Sequence, residues 1–336
     1  MVLVATMVRW FFYIVTVVVV LLLVLIHGFG FGSTGLSAAN VEQFFIDAKR
    51  PQPVFAQFNT TPGTINVVHT RVSMAASNIG VDTDSKLENS PLPILVFIHG
   101  SPGDWTAFIE YFNVDTLNKR YQLVAVDRPG FGGSDAGVAV PSLAEQSRRL
   151  VSALKQSQIG RNLSIDVPVA TGASDQNIQL KKPNTILVGH SMGGPLAARI
   201  AADYPSLVAG LVLVAPSMDP ELEGMRWYNE ALHTKLAAWL LPQSWVTSNR
   251  EIMSHKHQLQ LLKRQLHNIK APTVVIQGME DTLVSPANAD YVERNFEHVS
   301  VLNIIRLEGM NHFIPWSHPQ VIIDSVLAVI TESSQY

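Results

Sequence analysis

The chain of 336 residues contains no cysteine. Thiol nucleophiles, disulfides and cysteine-held zinc are therefore excluded, and covalent catalysis would have to use a hydroxyl, carboxylate, amine or imidazole. Charge is also scarce. Asp, Glu, Lys and Arg make up 15% of the residues, and 24 basic against 27 acidic side chains leave a formal net charge of −3. That balance supplies no basic face for a phosphate backbone, so no nucleic-acid partner is expected. No internal repeat divides the chain, and no carboxylate cluster accompanies its histidines. His255, His257 and His267 come nearest to a metal pattern. A spacing of two on a helix points the first pair to different faces, so these three read as solvated histidines, and neither metal nor cofactor is expected.

Uncharged apolar sequence is concentrated at the N-terminus. Trp10–Ile26 carries no charge and would form a helix about 25 Å long, near the thickness of a bilayer core. Trp10, Phe11, Phe12 and Tyr13 cluster at one end, and Phe29 and Phe31 lie beyond the other. Arg9 precedes the run, whereas the first charges after it are Glu42 and Asp47. The run is expected to be a transmembrane anchor with the rest of the chain on the non-cytoplasmic side. The rival reading is a signal peptide cut near Ser37-Ala38-Ala39, which would release a secreted or periplasmic protein. Gly28–Asn40 reads as a tether, which gives an N-terminal segment 1–39 and a globular domain 40–336.

Within that domain, Pro53–Phe58 and Ile65–Ser73 read as a hairpin turned at Thr61–Thr64. Ala75–Pro93 and Gly160–Asn184 are polar and irregular and read as a loop and a surface insertion. From Ile94 onward, apolar runs of buried-strand type alternate with helical spacing. The expected class is α/β, a mostly parallel, doubly wound sheet covered on both faces. Met218–Lys270 has helical spacing without strand signals, and it reads as a helical lid between two core strands. Trp227, Tyr228, Leu232, Leu236, Trp239, Leu240, Leu241 and Trp245 give the lid an apolar face, to be packed on the core or to line an acyl pocket.

Thr185–His190 ends in Gly189-His190-Ser191-Met192-Gly193, and a helical run follows at once. G-x-S-x-G between a strand and a helix is the setting of a nucleophile elbow, where the glycines permit a tight turn and the serine stands above the sheet edge. Asp281 follows the next-to-last strand and His312 the last, so the chain order is Ser, Asp, His. A nucleophile, a base and a group that orients the base are the parts needed for acyl transfer. Glu280 and Asp219 are the alternative acids. His99 and His190 flank the loops concerned and read as packing or supporting residues, and Asp127 and Arg128 as braces.

These motifs, together with His99-Gly100-Ser101-Pro102-Gly103 and Asp127-Arg128-Pro129-Gly130-Phe131-Gly132-Gly133-Ser134, carry a resemblance. The chain resembles α/β-hydrolase-fold enzymes of the lid-bearing esterase/lipase type over about residues 50–333. The resemblance implies a serine hydrolase acting on carboxylic esters, apolar or lipid-derived, with catalytic residues Ser191, Asp281 and His312. It implies an oxyanion hole made by the backbone N–H groups of Ser101 and Met192, which leaves the Ser101 side chain dispensable. Relatives with an aspartate nucleophile are disfavoured by the serine at the elbow. A proline-iminopeptidase-like aminopeptidase, a C–C bond hydrolase and a cofactor-free peroxidase would use the same triad. The peptidase reading is weakened because that family has a second Gly where Ser101 stands. A binding protein on this fold is the non-enzyme alternative, disfavoured because all three triad positions are filled. The expected partners are a small-molecule ester and, through the N-terminal helix, a membrane; the sequence leaves the oligomeric state open.

Overall fold

The apolar runs read from the sequence assemble into one eight-stranded sheet in a computed structural model that describes residues 7, 9–14, 16–17, 35–71, 92–157 and 184–333. The strands are β1 (Val54–Asn59), β2 (Thr64–His69), β3 (Ile94–Ile98), β4 (Gln122–Val126), β5 (Thr185–His190), β6 (Val208–Val214), β7 (Thr273–Gly278) and β8 (Leu302–Leu307). Their spatial order is β1-β2-β4-β3-β5-β6-β7-β8. The hairpin β1/β2 and the ladder β2/β4 are antiparallel, and every later ladder is parallel.

The central strands are buried on both faces, and their alternation sorts side chains into two layers. On β3, Ile94, Val96 and Ile98 join a cluster with Leu150 and Leu154 of the helix Leu143–Gln156 and with Leu196 and Ile200 of the helix Gly193–Asp203. Leu95 and Phe97 point the other way, to Phe108 and Tyr111 of the 3-10 stretch Trp105–Asn113 and to Ile322 and Val326 of the helix Pro319–Ser333. This is the doubly wound arrangement expected from alternating strands and helices. Asp104 and Ser142 cap their helices with side-chain oxygens that accept from Thr106 N and Glu145 N.

Register places the chemistry. Ile98 pairs with Gly189, His190 with Val214, and Gly278 with Leu307, so the parallel strands end along one edge of the sheet. The loops that follow β3, β5, β6, β7 and β8 therefore gather at that edge, where open α/β sheets bind ligands.

Two local expectations are corrected. The end of the expected tether Gly28–Asn40 runs into a helix, Ala38–Asp47, capped by Ser37, that buries Val41 and Phe45 in the second cluster, and residues 28–34 lie outside the described residues. The lid forms three helices, Trp227–Leu232, Lys235–Leu240 and Gln243–Lys263, but its apolar face is not where the spacing put it. Trp239 is 79% exposed and Leu236 64%, whereas the long helix turns Thr247, Asn249, Glu251 and His255 inward. Val246, Leu259 and Leu262 are buried on the same helix, and Glu251 among its buried polar residues meets a buried cation, described below.

Most of Trp10–Ile26 lies outside the described residues, as do Ala75–Ser90 and Gly160–Pro183 within the expected loop and insertion. Residues 9–14 are helical and exposed. Among the described residues no helix is long and apolar enough to cross a membrane, so the spanning helix expected at Trp10–Ile26 is not found there.

Candidate active site

Ser191 stands at the tip of the turn between β5 and the helix Gly193–Asp203 with φ +54°, a left-handed conformation that a serine occupies only when its surroundings enforce it. The surroundings are tight. A Cβ on Gly189 would run into Gly193 O, and one on Gly193 into Ile98 O. Ser191 N donates to Val214 O at 2.9 Å, and Gly194 N to Ser191 O at 2.9 Å. The elbow is thus stitched to the end of β6 and to its own helix.

His312 lies in the turn after β8, and its Nδ1 is 2.7 Å from Asp281 Oδ2. Asp281 Oδ1 accepts from Leu283 N at 2.9 Å and from Val284 N at 2.8 Å. Burial pushes the Asp281 carboxyl up, but the His312 hydrogen bond and those two amides outweigh it and hold it below the usual carboxylate range. It therefore faces His312 as an anion. Glu280 is exposed, and Asp219 is bound to Glu221 N, so Asp281 is the acid the structure brings to the imidazole. His190 Nε2 donates to His312 O, 3.1 Å away, and the two rings lie 4.8 Å apart. Burial, then the neighbouring His312, pull His190 down to about 3, so it supports the His312 backbone as a neutral ring.

Ser191 and His312 line one cavity of about 510 Å³, which Gly100, Ser101 and Met192 also border. In this conformation the Ser191 hydroxyl makes no hydrogen bond to His312, an arrangement common before substrate tightens the contact. The N–H groups of Ser101 and Met192 meet no acceptor among the described residues. Two free amides beside the elbow can receive an oxyanion, each lowering the barrier by about 3 kcal/mol in such sites. The cavity's apolar wall comes from Leu222, Ile252, Leu283, Val284, Phe313 and Trp316. Of the lid residues named from the sequence, Leu232, Leu236, Trp239, Leu240, Leu241 and Trp245 do not line it.

A buried ion pair holds the loop after β3. Arg128 is fully buried, with Nη2 donating to Glu251 Oε2 at 2.7 Å and to Gly100 O at 3.4 Å. Glu251 Oε1 accepts from Gln146 Nε2 at 2.8 Å, and Glu251 Oε2 accepts from Ser101 Oγ at 3.0 Å. The Ser101 side chain is therefore engaged with the ion pair, apart from the backbone role expected for its N–H. His99 completes the frame: its Nε2 accepts Arg128 N–H at 2.9 Å and its Nδ1 meets Gly100 O at 2.7 Å. One nitrogen must accept and the other donate, so the ring is neutral, and burial, then Arg128, hold its pKa well below the usual value.

His255 also departs from expectation. His257 and His267 are exposed, but His255 is buried against the cavity, with Nε2 2.8 Å from Ser217 Oγ. Burial, then Arg128, lower it to about 4. Ser217 Oγ also donates to Glu223 Oε1 at 2.5 Å. Glu251, Ser217, Glu223 and His255 carry no spacing signal; only the position of Ser217 just after a strand end marked it. Among the described residues no group of three or more His, Asp or Glu could hold a metal ion.

A parallel sheet with a serine elbow at its carboxyl edge, faced by an Asp–His pair, defines a hydrolase-type α/β protein. The chain belongs to the Alpha/beta hydrolase family, whose model matches residues 95–325. It is 28% identical over 229 residues to a 2-hydroxy-6-oxononadienedioate/2-hydroxy-6-oxononatrienedioate hydrolase of Paraburkholderia phymatum, covering 56% of this chain and 71% of the relative. It is 25% identical over 261 residues to a putative esterase/lipase 2 of Mycoplasma genitalium, covering 70% of this chain and 87% of the relative. Other relatives match in part. The chain spans 26% of the dihydrolipoyllysine-residue acetyltransferase component of the acetoin cleaving system of Cupriavidus necator, at 32% identity over 122 residues, or 36% of this chain. The fold is also that of a membrane phospholipase A described as a bacterial virulence factor, with TM-score 0.57 and 17% identity, covering 98% of this chain and 100% of the other.

Glu251→Leu would leave Arg128 buried without its partner, and stability should fall by about 3–5 kcal/mol. Denaturant unfolding checks this, and Arg128→Met in the same chain should recover most of the loss. His190 and His255 stay neutral in the fold to about 3 and about 4, whereas in the unfolded chain they protonate near 6.5. Below about 6.5 the unfolded state binds more protons, so these histidines make stability fall as pH drops from about 6.5 to about 4. Melting temperatures across that window should fall less steeply in His255→Gln than in the wild type.

Proposed function

We propose that the protein is a serine hydrolase that cleaves carboxylic esters through an acyl-enzyme on Ser191. The observation that carries this reading is the convergence on one cavity of the elbow serine, the Asp281-bound imidazole of His312 and the two free amides of Ser101 and Met192. In the proposed sequence, His312 Nε2 takes the Ser191 proton as Oγ adds to the carbonyl carbon, while Asp281 keeps Nδ1–H pointed at itself. The oxyanion rests on the two amides. Collapse expels the alcohol, which leaves with the proton from His312. Water, deprotonated by the same imidazole, then releases the acid.

The apolar wall of Leu222, Ile252, Leu283, Val284, Phe313 and Trp316 favours an apolar or lipid-derived acyl group. The Mycoplasma relative, named a putative esterase/lipase, supports the ester reading. The Paraburkholderia relative supports a second one. A hydroxy-oxo-dienedioate holds no ester, so its hydrolysis breaks a carbon–carbon bond. The charge-free run Trp10–Ile26 supports an N-terminal membrane anchor with the hydrolase on the non-cytoplasmic side, the alternative being a secreted or periplasmic protein freed by signal cleavage.

Fluorophosphonate should add once to the intact protein and not to Ser191→Ala, whose ester turnover should drop by several orders of magnitude. Near-normal turnover in that variant would overturn the assignment. Membranes from cells expressing the full chain should retain the protein through carbonate washing, with its mass unprocessed; release as a shorter soluble species would replace the anchor by a cleaved signal.

A further inference from the structure

The cavity has a polar end that the proposed chemistry does not use. Ser217, Glu223 and His255 all line it, together with Ser191. Ser217 lies immediately beside the nucleophile, since its N–H reaches Ser191 O at 3.4 Å. Its hydroxyl makes two hydrogen bonds, to Glu223 Oε1 at 2.5 Å and to His255 Nε2 at 2.8 Å. These residues come from the loop after β6 and from the long lid helix, so the cluster forms only when the lid is in place.

The proton inventory of this chain is restrictive. A serine hydroxyl has one proton and two lone pairs. With Glu223 ionised, Ser217 donates to the carboxylate and accepts from His255 Nε2–H, which leaves His255 Nδ1 as an acceptor. With Glu223 protonated, the sense reverses: Glu223 donates to Ser217, Ser217 donates to Nε2, and Nδ1 carries the proton. Burial raises the Glu223 pKa and so brings the two senses closer in energy. In both senses Ser217 keeps one lone pair, and Nδ1 makes no hydrogen bond to the described residues. An ammonium, which only donates, suits the first sense, and a carboxylate, which only accepts, suits His255 in the second. A hydroxyl, which donates and accepts, fits both.

We propose that Ser217, Glu223 and His255 form a specificity subsite for a hydroxyl group on the substrate, close to the scissile carbonyl. The proposal deepens the ester-hydrolase reading and rests on it: the substrate is an ester whose chain is apolar but carries a hydroxyl near the reacting carbon. Discrimination follows from the geometry. A plain ester leaves the chain's remaining lone pair and ring nitrogen desolvated and unmatched, whereas a hydroxyl satisfies them. The same contacts tie the loop after β6 to the lid helix, but a purely structural tie would not distinguish a hydroxylated ester from a plain one.

The test compares kcat/KM for p-nitrophenyl butyrate with p-nitrophenyl 3-hydroxybutyrate, and for ethyl butyrate with 2-hydroxyethyl butyrate. Each pair thus places the hydroxyl on one side of the ester. The wild type should favour the hydroxylated member of one pair at least tenfold. In Ser217→Ala, and separately in His255→Leu, that ratio should fall by tenfold or more. A ratio near one in the wild type, a ratio unchanged in both variants, or a stronger preference for the 3-amino or 3-carboxyl analogue would overturn the subsite. Fluorophosphonate labelling of the wild type separates the two levels. Labelling of Ser191 without hydroxyl preference removes the subsite alone, whereas no labelling and no turnover of any ester removes the ester-hydrolase reading and the subsite with it.

Discussion

A single buried cation organises the catalytic edge. Arg128 lies under the loop after β3, and its guanidinium joins that loop, through Gly100 O, to the lid helix, through Glu251. An ion pair removed from water repays its desolvation only when its remaining hydrogen-bonding positions are filled. Here Gln146 and Ser101 fill them on Glu251, whereas Arg128 Nε finds no acceptor among the described residues and the Phe131 ring lies 4.9 Å from the guanidinium carbon. The requirement explains why the lid helix turns the Glu251 carboxylate inward. It also explains why Ser101, named only for its backbone, has its side chain fixed: the amide that faces the cavity is held by the same carboxylate that neutralises Arg128.

What could be read from the sequence was whatever depends on neighbours in the chain. The elbow was legible because the turn itself demands Gly189, whose Cβ would meet Gly193 O four residues on. The demand for Gly193 comes from Ile98 O on β3, a distant segment, and was legible only through the G-x-S-x-G motif. Strands β3 to β7 were legible because burial on both faces requires unbroken apolar runs. Asp281 and His312 were legible because each follows a strand end, and parallel register brings such ends together.

The illegible part is the set of contacts between distant segments. Glu251 and His255 sit in a helix whose composition resembles any solvated helix, and only the arrival of Arg128 and Ser217 from other loops turns them inward. The apolar lid residues misled for the complementary reason. Periodicity identifies a face but not what it faces, and Leu236 and Trp239 face outward. The helix Ala38–Asp47 was missed because its small residues resemble a linker until Val41 and Phe45 find the sheet.

The clamp on the lid bears on how molecules enter and leave the cavity. A lid that swung away as a rigid unit would separate Glu251 from Arg128 and break the hydrogen bonds that Ser101 and Gln146 make with the same carboxylate. Among the described residues the segments after β7 and β8 make no ion pair to the lid. Leu283, Phe313 and Trp316 are half exposed there, the first two in the loops after β7 and β8 and Trp316 in the short helix Ile314–Ser317. The lid wall of the cavity is thus tied to the sheet edge, whereas Leu283, Phe313 and Trp316 leave the side beside His312 apolar and half exposed.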